Sequence, residues 1–142
     1  MPSPAVLLKK AQQYLRSSAI LLETGDFDSS ASRAYFAMFF AAQALLLERH
    51  EGLPKQAGIR SAFIEQFVDN GPFPERARHA LERGHSLQEL ADYSHDFAVP
   101  EDDAEALLAE AEAFVNSIAQ FRSAQPGAHS PGPSETAPDQ DT

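Results

Sequence analysis

Ser32-Arg33-Ala34-Tyr35-Phe36-Ala37-Met38-Phe39-Phe40-Ala41-Ala42-Gln43-Ala44-Leu45-Leu46-Leu47 carries a single charge, at Arg33, and no Gly or Pro. Its Ala, Leu and Met residues favour helix. A helix that is apolar on every side has to be wrapped by other helices. The run is shorter than the roughly 20 apolar residues of a membrane span, and capping and charged residues flank it. It therefore reads as the central helix of a soluble bundle, spanning residues 27–49. Its alanines let neighbours approach closely. Tyr35, Phe36, Met38, Phe39, Phe40, Leu45 and Leu46 supply core area, each worth about 1.5–3 kcal/mol when fully buried. These rings suit a core better than a base-stacking platform, which needs exposed rings beside basic residues.

Helical spacing continues on both sides. Residues 5–24 place Val6, Leu7, Ala11, Tyr14, Leu15, Ser18, Ile20, Leu21 and Leu22 near one period. Gly25 suits a left-handed helix stop, and Asp26 or Asp28 can cap the central helix. Gly52 and Pro54 end that helix, and His50 complements its negative end. Residues 56–69 predict a third helix, closed by Asn70-Gly71-Pro72. Residues 74–92 predict a fourth, which Gly84 should weaken by about 1 kcal/mol and could bend. Residues 93–99 read as a loop. Pro100 fits the first position of a fifth helix, with Glu101, Asp102 and Asp103 at its positive end. That helix runs to residue 122 on an amphipathic stripe. The expected fold is an all-α antiparallel bundle of about five helices over residues 1–122. Residues 123–142, rich in Pro, Gly and acids, are expected to be a disordered tail, unable to offset its ordering entropy by apolar burial.

Composition narrows the function. A chain of 142 residues fits one domain, and 43% hydrophobic residues can build a core. It has no cysteine, which excludes disulfides and thiolate metal sites and suits a reducing cytosol. Met1-Pro2-Ser3-Pro4 lacks a signal-peptide pattern, so the expected compartment is cytoplasmic, without a membrane partner. The net charge of −10 does not advertise a nucleic-acid surface. Arg76, Arg78, His79, Arg83 and His85 nevertheless form a local basic cluster, opposed by acids of the fifth helix. Solvated helix faces explain both clusters without a site. A Gly-rich phosphate loop, metal-ligand His spacing and a nucleophile elbow are all missing, and no cofactor or metal is expected.

Two stretches together resemble a known family. Ser32-Arg33-Ala34-Tyr35-Phe36-Ala37-Met38-Phe39 is similar to the Ser-Arg-Ala-Tyr-Tyr-Ala-Met-Phe stretch of prokaryotic HEPN-domain proteins. Ala91-Asp92-Tyr93 and the acidic-start helix ending Ala111-Glu112-Ala113-Phe114-Val115 resemble that family's C-terminal half. Gly58-Ile59-Arg60-Ser61-Ala62-Phe63 looks like its third helix. The resemblance implies a helical bundle, usually a homodimer, associated with RNA cleavage or with RNA and nucleotide binding. Many members are toxins encoded beside a nucleotidyltransferase-type antitoxin. Active members use an Arg and, four to six residues on, a His. A His moves protons near neutral pH, an Arg stabilises the anionic phosphorane, and no metal is required.

The sequence departs from that pattern. Gln88 stands where an Arg usually precedes Ala-Asp-Tyr, and Gln56 where a His usually precedes the third helix's Gly. Neither amide titrates or carries charge. Two substitutes are available. Arg78 and His85 satisfy the literal spacing and share a helix face. His95 could transfer protons beside Asp92 and Tyr93. Without a site, Asp92 is a loop cap and Tyr93 a half-buried ring. Arg33 needs a partner if buried: Asp92, Asp96 or an acid of the fifth helix would make an ion pair, and a phosphate would make Arg33 an RNA or nucleotide contact. The candidates are then Arg78, His85 and His95 for catalysis, and Arg33, Gln88, Asp92 and Tyr93 for RNA or nucleotide binding. Three functions remain open. One is an RNA- or nucleotide-directed toxin–antitoxin component. Another is a non-catalytic dimeric module binding a nucleotidyltransferase-type partner. The third is a helical scaffold whose acidic last helix docks a basic partner.

Overall fold

The computed structural model describes residues 2–49 and 56–124, with the backbone alone at positions 56 and 57. His50, Gly52, Pro54, the Gln56 side chain and residues 125–142 lie outside the described residues. Five helices run in order: α1 Pro4–Glu23, α2 Phe27–Arg49, α3 Gln56–Phe63, α4 Glu75–Tyr93 and α5 Glu101–Ala124. The third runs on as a wider π-helical turn, Ile64–Asp69, where the sequence predicts an uninterrupted α-helix. Among the described residues there is no strand.

The central run does what its composition demands. Helix α2 touches each of the other four helices. Ala31, Ala34, Ala37, Ala41, Ala42 and Ala44 are all wholly buried, so backbones pack closely on several sides of it at once. By length and composition α2 could cross a membrane, yet 67% of its apolar window is buried inside the bundle.

Local chemistry sets the helix ends. Ser3 caps α1 by accepting from the Val6 N–H at 3.2 Å. Gly25 adopts a φ of 86°, the left-handed stop expected of it. Asp26 caps α2 through the Ser29 N–H at 3.2 Å. Asp28 instead reaches across the chain and accepts the Val99 N–H at 2.8 Å, fixing the loop before α5. Pro100 stands one residue before α5 rather than inside it, and its carbonyl accepts the Ala104 N–H at 3.1 Å.

Two contacts lock the bundle. Ser18 and Ser30, both wholly buried, exchange bonds between α1 and α2: each hydroxyl donates to the other's carbonyl, at 2.8 and 2.9 Å. At the other end, Phe63, Phe67, Phe73, Phe114 and Phe121 interlock, with neighbouring ring centroids 5.2–6.1 Å apart. Helix α4 runs unbroken through Gly84. That glycine sits buried where α4 crosses α2 and α5, and its missing side chain permits that approach.

Candidate functional site

The polar residues of α4 sort by helical spacing. His85, Gln88, Glu89 and Asp92 stand three or four residues apart and so share one face. Beneath His85 lies Tyr35 of α2, their rings meeting edge to face at 5.7 Å. Tyr35 is 3% exposed, and the Arg60 guanidinium of α3 acts on its phenol. Burial pushes the phenol's pKa above its ordinary value, while Arg60 pulls it the other way and Glu89 adds to the rise. His85 Nε2 stands 3.5 Å from Glu89 Oε2, an ion pair when the ring is protonated. The His85 side chain keeps 29% of its surface open to solvent. The partly open imidazole and carboxylate of α4 thus lie over a buried phenol of α2 on which the Arg60 guanidinium of α3 acts.

The expected pair Arg78 and His85 is not brought together. They are separated along α4 by about 10 Å, at 1.5 Å per residue. The Arg78 guanidinium turns toward the start of the helix, bonding Glu75 at 2.8 Å and also Asp69. That bond holds the Glu75 carboxyl below its usual range and raises Arg78 above its own.

The remaining candidates scatter. Gln88 is buried and donates to Asp92 Oδ2 at 2.6 Å, so its amide turns along its own helix. Asp92 lies in the last turn of α4 and is not a loop cap. Tyr93 is 79% exposed, where the sequence predicts a half-buried ring. His95 is exposed in the turn after α4 and bonds none of the described residues. Arg33 corrects the expected ion pair: it is exposed, has no acid partner among the described residues, and lays its guanidinium 4.6 Å from the centroid of the Tyr14 ring. No burial cost arises there, because the cation keeps its water.

Sequence reasoning misses Tyr35 and Arg60 as site residues. Beside Phe36, Phe39 and Phe40, Tyr35 reads as one more core ring. The signal is its hydroxyl: a buried phenol needs a polar partner, and Arg60 is the one charge between Gly58 and Ile64. Among the described residues, no group of three or more His, Asp or Glu side chains is arranged to hold a metal ion.

The HEPN domain family matches residues 5–121 of this chain. The chain belongs to the HEPN-domain family. A Methanocaldococcus jannaschii protein named "Putative toxin MJ0605" is 34% identical over 112 residues, covering 79% of this chain and 83% of that one. A second from the same organism, "Putative toxin MJ0142", is 25% identical over 115 residues, covering 81% and 78%. A UPF0332 protein of Gloeobacter violaceus is 31% identical over 124 residues, covering 84% of this chain and 96% of its own length. The HEPN match takes in all five helices and stops three residues short of the end of α5.

Proposed function

We propose that this chain is the toxin-side component of a cytoplasmic toxin–antitoxin pair and that it acts on RNA as a homodimer. Family membership and the names of two relatives support the class. The observation that carries the RNA reading is the His85 ring packed on Tyr35, whose phenol also feels the Arg60 guanidinium. In this reading neutral His85 accepts the 2′-hydroxyl proton as that oxygen attacks the adjacent phosphorus. The P–O5′ bond breaks, and the departing oxygen takes a proton from an imidazolium, supplied by the second copy. The products are a cyclic 2′,3′-phosphate and a 5′-hydroxyl. Arg60 neutralises the charge that builds on the phosphorane oxygens. Tyr35 and Glu89 set the orientation of the two groups.

The test is cleavage of a mixed single-stranded RNA by the full chain without added metal. His85→Ala and Arg60→Ala should each lower the rate by about 100-fold or more, the usual scale of a proton-transfer or charge-stabilising group. Arg78→Ala should change it only a few-fold. Equal losses in all three variants would move the site elsewhere.

A second reading has its own support. Gln88 is spent on Asp92, and the net charge of −10 disfavours a polyanion. Both fit a non-catalytic module that binds a nucleotidyltransferase-type antitoxin. Wild-type protein that cleaves no RNA, yet co-purifies with such a partner, would select this reading.

A further inference from the structure

One stripe of α2 is unlike the rest of that helix. Tyr35, Met38 and Phe39 are buried, but Phe36 and Phe40 are only half-buried. Helices α1 and α4 both pack on α2 with no comparable packing on each other, which leaves this stripe open between them. From His85 a file of rings crosses it: Tyr35 at 5.7 Å, then Phe36 at 5.1 Å, Phe40 at 6.4 Å and Tyr14 of α1 at 5.1 Å. Two cations lie on the far end of the file. The Arg33 guanidinium stands 4.6 Å from the Tyr14 centroid, and Lys10 Nζ 4.9 Å from that of Phe40. Both residues are exposed, and neither has an ion pair among the described residues. The charge around them is local: residues 1–22 hold Lys9, Lys10 and Arg16 and no acid, in a chain of net charge −10.

We propose that this stripe carries the strand of a single-stranded RNA adjoining His85, with a base stacked on the Arg33 guanidinium and phosphates met by Arg33 and Lys10. The proposal rests on the RNA reading above and adds where the strand lies and how it is held. A guanidinium laid over a ring offers its outer plane to a nucleobase and its N–H edge to a phosphate, which an ammonium cannot do. Bases with free faces belong to single strands, and stacking on such a platform tolerates any base. An acidic peptide would satisfy the two cations and leave the plane and the rings unused. A second copy seated on this end of the stripe would bring the same rings and cations against each other. Lys10 and Arg33 would then lose water without gaining an acid. The acidity of the whole chain does not oppose the strand here, because exposed charges are screened beyond about 8 Å at physiological salt.

The test separates binding from cleavage. A short single-stranded RNA with 2′-O-methyl groups throughout has no 2′-hydroxyl to attack, and its Kd for the full chain is read by fluorescence anisotropy over a series of salt concentrations. Arg33→Ala should weaken binding about tenfold, and Arg33→Lys, which keeps the charge and loses the plane, about three- to fivefold. Lys10→Ala should lower the slope of log Kd against log salt by about 0.7, the share of one phosphate on a single strand. Arg76→Ala removes another exposed cation, at the start of α4, and should shift Kd by no more than about twofold. Inorganic polyphosphate should compete poorly; competition equal to that of RNA at equal charge would reduce the stripe to an anion site and overturn the stacked strand. Unchanged Kd in both Arg33 variants, with unmodified RNA still cut, would overturn the strand path and leave the cleavage reading standing. Binding that depends on Arg33 and Lys10, by a protein that cuts no RNA, would uphold the path and sink the cleavage. Loss of self-association in Arg33→Ala and Lys10→Ala, with RNA affinity intact, would make the stripe an interface between copies and overturn the proposal.

Discussion

Gly84 of α4 lies directly against Tyr35 of α2: a Cβ at position 84 would stand 3.1 Å from Tyr35 Cδ1. The same Cβ would meet Met38 Cε at 3.0 Å. The glycine is what lets α4 come close enough for the His85 ring to reach Tyr35. Its cost in helix propensity is offset by that packing.

Gly84→Ala tests the balance. Ala gains about 1 kcal/mol of helix propensity. Overpacking costs about 1–3 kcal/mol. The Met38 terminus can swing aside, but the Tyr35 ring is buried and packed edge to face against Phe36 and His85. The expected net is a loss of about 1 kcal/mol, growing to about 3 kcal/mol for Gly84→Val, whose branched side chain meets both neighbours. Urea unfolding reads both. A midpoint that rises for Ala would mean that the helices part readily at this crossing.

Tyr35 also predicts an alkaline limit. Its folded pKa lies above the ordinary 10.0, chiefly because burial disfavours the phenolate. The unfolded chain therefore releases this proton first as pH rises. The associated stability is whole below pH 10 and is lost as pH climbs from there through the folded value. Absorbance of native protein should show one of the three tyrosines titrating late. Tyr35→Phe should flatten the decline of stability above pH 10. An equally steep decline in the variant would assign the effect to other groups.

The bundle was legible because α2 leaves no choice: six buried alanines amid Phe and Leu can only be a wrapped helix. The site was less legible, for physical reasons that differ by residue. Arg78 and His85 match in spacing, but spacing does not reveal that Asp69 and Glu75 claim the guanidinium. Arg33 looks costly on an apolar helix, yet a long side chain can leave such a helix for solvent and lie on Tyr14. The Tyr35–Arg60 pairing joins residues 25 positions apart. Only the packing of α3 against α2 makes it.

Asp28 should matter more than its place in the first turn of α2 suggests. Its carboxylate receives the N–H of Val99, a residue 2% exposed. Asp28→Ala leaves that donor unpaired and buried, at a cost of about 1–3 kcal/mol. Asp28→Asn retains an acceptor and should recover most of it. Hydrogen exchange at Val99 is the local readout. Full protection in the Ala variant would show that the loop does not depend on this bond.

The final prediction concerns how the end of α5 is held. Arg122 Nε donates to Glu48 Oε2 at 2.7 Å, and the two side chains are only 17% and 13% exposed. Exposed ion pairs contribute little, about 0–1 kcal/mol, because water screens them and long side chains lose entropy. This one is mostly shielded, and breaking it leaves a carboxylate or a guanidinium partly desolvated without its partner. Arg122→Ala and Glu48→Ala should each cost about 2 kcal/mol, less than the roughly 3–5 kcal/mol of a fully buried pair. The double variant should cost less than their sum by about 1–2 kcal/mol, since residues in one ion pair couple. High salt should leave most of that coupling in place, as shielded pairs are screened far less than exposed ones. Strict additivity, or a coupling that vanishes with salt, would mean that Phe121 and its aromatic neighbours hold the end of α5 without the ion pair.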